Sequence, residues 1–161
     1  MKEVLLLVNA LYFLFAATMY MGTMWVLRFF LHPTWRVLTP ENVGQHFEVP
    51  IGLATKFFTI LVPPMLLSAV VLVVSEWGDR LVWLAAVCLV GTLLLGFVVR
   101  ASIVKVNKKI HDGSYDGPAG LTPLLERWMQ LNSIRFAAST VTWAAIVWYL
   151  VAKPDLLGAL R

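Results

Sequence analysis

The chain has 161 residues, of which 60% are hydrophobic and only 14% charged, with a formal net charge of +4. A soluble domain is nearer half apolar and a quarter charged, so this composition excludes an ordinary water-soluble fold. The single cysteine, Cys88, excludes an intramolecular disulfide, and the positive charge is spread over apolar flanks with no nucleic-acid signature.

The apolar residues fall into four blocks, each near the ~20 residues that cross the hydrocarbon core as a helix. They predict one all-α domain, 1–161, built as an antiparallel four-helix membrane bundle with spans near 4–31, 51–75, 81–104 and 123–152. The first block follows Met1-Lys2 as a signal peptide would, but it runs past Ala16-Ala17-Thr18 to Leu31. A signal h-region is only ~7–15 residues, so the block reads as a span. Near its end Arg28 and His32 stand four apart and share a face. His32-Pro33-Thr34-Trp35 predicts the helix end, because proline lacks a donor and disfavours helix before it.

The following connection holds His46 and Glu48 just before the second span, which carries Lys56 near its start and Pro63-Pro64 at its middle. The proline pair predicts a kink in that helix. Ser75–Arg80 reads as a polar turn. In the third span Cys88, Thr92 and Gly96 form a small-residue row that predicts close packing in lipid. Beyond Arg100 the pattern turns amphipathic up to His111, with Asn107 on the Arg100 face and Lys105, Lys108 and Lys109 at headgroup level. After a Gly-rich loop, Thr122-Pro123 predicts the fourth helix start, so the third and fourth helices project beyond the bilayer.

Antiparallel alternation then brings Arg28, His32, Lys56, Arg100, Asn107, Asn132 and Arg135 to one end of the bundle. On the fourth helix Trp128, Asn132, Arg135, Ser139 and Thr142 recur at helical spacing as one polar stripe. An arginine in an apolar span needs a partner, and here acids are few. Glu48, Glu126 and Arg127 are the candidates for structural ion pairs, and the surplus of cations points to an anionic ligand or developing negative charge. Arg28, Lys56, Asn107, Trp128, Asn132 and Ser139 are the candidate binding residues. The bland alternative for Arg28, Lys56 and Arg100 is snorkelling to headgroups, which Arg135 reaches less readily. His32, His46 and Glu48 offer a two-histidine, one-carboxylate metal set, but the surrounding positive charge opposes a cation, and no metal is expected.

Most Lys and Arg flank the side carrying the 32–50 and 101–122 connections, which the positive-inside rule places in the cytoplasm. The expected surroundings are a lipid bilayer. The protein partners expected are a homo-oligomer or a membrane complex, and no nucleic acid is expected.

Leu125-Glu-Arg-Trp-Met-Gln-Leu-Asn-Ser-Ile-Arg135 resembles the fourth-helix motif of the anthrone-oxygenase-like family of small integral membrane proteins. That motif reads approximately Arg-Trp, three residues, His or Asn, two residues, Arg. Val106-Asn107-Lys-Lys-Ile110 is similar to its third-helix end, typically Pro-x-Asn-x-x-Leu. Lys105 stands where a proline is common, and Asn132 where many members have histidine, which removes one candidate base. The resemblance implies a hydrophobic aromatic or quinone-like small molecule as partner, and oxygenation of an anthrone to an anthraquinone without metal or flavin. In that reading His32 or His46 is the base, and Arg135, Arg100 and Lys56 stabilise an enolate. The rival reading is a non-catalytic membrane subunit whose cationic cavity binds a quinone, a lipid headgroup or an acidic partner segment.

Overall fold

Four long helices, α1 (Lys2–Trp35), α2 (Gly44–Ser75), α3 (Val82–His111) and α4 (Gly117–Ala152), form a multi-pass integral membrane bundle. The computed structural model describes residues 2–154 and 156, apart from the side chains of residues 98–100. Among the described residues there is no strand. The helices form a square, in which α1 and α3 each pack against both α2 and α4. Exposed Leu5, Phe15, Phe30, Leu53, Ile60, Leu67, Leu93, Phe97 and Val141 give the outside an apolar surface suited to lipid.

The interior is layered along the bundle axis. Phe13, Met65, Leu72, Leu84, Cys88, Ile146 and Tyr149 fill the end near the termini. Tyr20, Met24 and Leu95 occupy the middle, and Leu27, Trp35, Phe47, Ile103, Ile110, Leu121, Leu125 and Trp128 close the far end. Close approach of α3 and α4 depends on Gly91, because a Cβ there would overlap Thr142 Oγ1. In the expected small-residue row, Cys88 and Thr92 are buried, whereas a Cβ on Gly96 would meet open space. The close-packing glycine is therefore five residues before the position that the spacing suggested, on another face of the helix.

Three helix boundaries also differ from the sequence expectation. α1 runs past residue 31, the expected span end, and through Pro33 to end at Trp35, the last residue of the expected stop, after a π-helical turn over Leu27–Leu31. In that turn the His32 N–H reaches back to the Leu27 carbonyl, five residues earlier, and this wider turn makes room for the proline ring and its missing donor. α2 begins the same way, with a π turn over Gly44–Glu48 directly before Pro50, so the helix starts earlier than residue 51. α4 starts at Gly117, where a positive φ reverses the chain, and Pro118 takes the first-turn place expected for Pro123. Thr122 is consequently inside the helix, its hydroxyl donating to the Pro118 carbonyl. Pro63 and Pro64 lie within the continuous helix Val49–Ser75.

A candidate cationic and aromatic site at one end of the bundle

The polar stripe of α4 faces inward, with Trp128, Asn132, Arg135, Ser139 and Thr142 all buried. It is wired in series. Trp128 Nε1 donates to Asn107 Oδ1 (2.7 Å), and Asn132 Nδ2 donates to the Trp128 carbonyl (2.9 Å). Arg135 Nη1 donates to Asn132 Oδ1 (2.7 Å), while Arg135 Nε donates to Tyr20 Oη (2.9 Å) and Nη2 to the same oxygen. The guanidinium also lies over the rings of Tyr20 (5.3 Å) and Phe58 (5.5 Å). Arg135 is thus held by neutral partners and two π faces, with no carboxylate among its described contacts. Such contacts satisfy its donors and leave its charge uncompensated.

His32 is the second interior group. It is 3% exposed, and neither ring nitrogen has a hydrogen-bond partner. Its ring stands edge-on to Trp128 (6.0 Å between centroids), which also meets Trp35 (5.2 Å) and Phe47 (5.0 Å). The surrounding wall is therefore aromatic. Leaving a buried polar group unpaired costs about 1–3 kcal/mol, which marks this imidazole as one that a ligand can satisfy.

Four residues to either side of His32, Arg28 on α1 and Arg36 just past its end line an open groove of about 560 Å³ between α1 and α4. Glu126, Met129, Gln130 and Ser133 form the α4 wall, and Arg28 Nη1 donates to Ser133 Oγ (3.4 Å). Two cations against one acid leave the groove with a single excess positive charge, suited to a monoanion. A second groove of about 790 Å³ opens between α3 and α4, with Val90, Leu94, Ala137 and Val141 in its walls and Ser133 at its edge.

Other predicted site residues are distributed differently. Lys56 and His46 are exposed, which fits snorkelling or surface roles rather than a place inside the site. Glu48 does not pair with Arg127; its Oε2 lies 2.7 Å from His111 Nδ1. Arg127 and Glu126 are exposed and form no ion pair among the described residues. With His32 inside the bundle and His46 on its surface, the proposed metal set is not brought together. Among the described residues no group of three His, Cys, Asp or Glu could hold a metal ion. Ser139 is buried, but its hydroxyl is used locally on the Phe136 carbonyl. The Arg100 side chain lies outside the described residues.

Three participants escaped the sequence reading: Tyr20, Phe58 and Arg36. Tyr20 had no distinguishing signal, since Tyr12, Thr18 and Thr23 carry hydroxyls in the same run. At the opposite end, Glu76 is fully buried, accepts from Tyr149 Oη (2.8 Å) and pairs with Lys153 Nζ. No family model, curated protein or solved structure matches the chain.

Proposed function

We propose that the end of the bundle around His32 binds an ionisable polycyclic aromatic of the hydroquinone or anthrone type and oxygenates it. The observation that carries this reading is the buried, unpaired His32 imidazole, set in an aromatic wall and flanked by Arg28 and Arg36 at the groove. A flat ring bearing an acidic C–H or O–H complements all three features. The resemblance of residues 125–135 to the anthrone-oxygenase-like family supports the same chemistry.

In the proposed reaction His32 takes a proton from the acidic ring carbon, and the groove arginines stabilise the enolate left behind. That carbon then bonds O2 to form a peroxide, and loss of water from the peroxide leaves the quinone carbonyl. One oxygen atom ends in the product and the other in water, so the four-electron oxidation of CH2 to C=O matches the reduction of O2. Membranes carrying the protein, given an anthrone and O2, are expected to form quinone faster than empty membranes and to lose that excess in His32→Leu. Equal rates in protein-bearing and empty membranes sink the enzyme reading.

A non-catalytic binding subunit is the second reading, favoured by the way Tyr20 and Asn132 already occupy Arg135. Ligand retention without turnover would single it out. We further propose that the 36–43 and 112–116 connections face the cytoplasm, supported by the Lys and Arg excess on their flanks. Cysteine labelling at Ser114 only from outside the cell overturns this orientation, and labelling at Gly78 only from outside supports it.

A further inference from the structure

The two grooves flank α4 on its α1 and α3 sides, share Ser133 in their linings and lie at different depths. The polar groove uses α4 residues 126–133, and the apolar groove continues along α4 from Ser133 to Thr142. Nine residues at ~1.5 Å each carry the apolar groove roughly 14 Å farther along the helix, toward the bilayer centre. Its opposite wall runs from Leu94 to Val87 on antiparallel α3, so both walls descend together. Only at the junction does a charged group intrude, where Arg28 reaches Ser133.

We propose that the ligand is an amphiphile with a single long apolar chain, its ionisable aromatic head in the Arg28/Arg36 groove and its chain in the α3–α4 groove. This rests on the head-group reading above and adds the substrate class. The order of the surfaces supports it: cationic and hydrogen-bonding nearer the interface, almost entirely apolar deeper, with Ser133 in the lining of both. A tail-less ring leaves the deeper groove to bulk lipid, so it gains nothing from those walls. A chained ring packs its chain against those walls in place of a lipid tail, gaining shape-matched van der Waals contact, without giving up its contacts with the arginines.

The test measures binding of two hydroquinones, one carrying a decyl chain and one without it, to the full chain in nanodiscs by calorimetry. The variants are Ala137→Phe and Val90→Phe, which fill the apolar groove from opposite walls at exposed positions, and Arg36→Gln in the head groove. The decyl compound is expected to bind wild type more tightly, and either phenylalanine is expected to weaken it by about tenfold, the loss of its packing contacts. The chainless compound should not respond to the phenylalanines, and Arg36→Gln should weaken both compounds. If both bind wild type but neither phenylalanine distinguishes them, the tail assignment is wrong and the head-group reading stands. If neither compound binds, the head-group reading fails and this one falls with it. Native mass spectrometry showing an anionic phospholipid that the phenylalanines release and the decyl compound cannot displace also overturns the proposal.

Discussion

Arg135 Nε donates to Tyr20 Oη over 2.9 Å, joining α4 to α1 across 115 positions of sequence in the middle of the bundle. Two guanidinium donors share that one phenolic oxygen, and Phe58 on α2 supplies a second π face. The contact ties three helices together at a depth where neither partner has water as a substitute.

Tyr20→Phe removes the shared acceptor and leaves two buried donors unpaired. Thermal unfolding in nanodiscs should show a loss of about 1–3 kcal/mol. Adding Arg135→Met to Tyr20→Phe removes the stranded charge as well and is expected to recover much of that loss. A double variant no more stable than the single one would mean that the pair is not the source of the penalty.

Gly91→Ala places a methyl group against the Thr142 side chain, whereas Gly96→Ala enters open space. The first should lower the unfolding temperature by pushing α3 away from α4, and the second should be neutral or slightly stabilising. Thr142→Ala in the Gly91→Ala background should restore part of the loss. Equal effects of the two alanines would contradict this α3–α4 approach.

Glu76 has no exposed surface, and its described partners are Lys153 and Tyr149. Lys153→Met strands the buried carboxylate. Removing one member of a buried pair costs about 3–5 kcal/mol, and partial exposure of Lys153 sets the expectation at or below the lower end of that range. Combining it with Glu76→Gln should recover stability, and recovery in the double variant is the decisive readout.

Trp128→Phe keeps the ring packed against Trp35 and Phe47 but removes the donor to Asn107. The amides of Val104–His111 are expected to exchange faster with solvent, because that bond fastens the end of α3 to α4. Lys108→Leu, at an exposed position on the same segment, is expected to change stability by no more than about 0.5 kcal/mol. Unchanged exchange in Trp128→Phe would assign the α3 end to apolar packing alone.

Sequence alone determined the class and the broad placement of chemistry. Four apolar runs of crossing length leave a membrane bundle as the only economical fold, since a lipid-exposed backbone must satisfy its own hydrogen bonds. Helical spacing put Trp128, Asn132 and Arg135 on one face, and antiparallel alternation put His32 and Asn107 at the same end. Only the tertiary structure decided which cations are buried and what they touch. Arg28 and Lys56 sit in apolar runs as Arg135 does, yet both are exposed, because burial depends on how each helix is rotated about its axis. The π turns before Pro33 and Pro50 alter that rotation, and no local pattern announces them. Tyr20 became the partner of Arg135 for the same reason: the match lies across 115 positions, where periodicity within one helix carries no information.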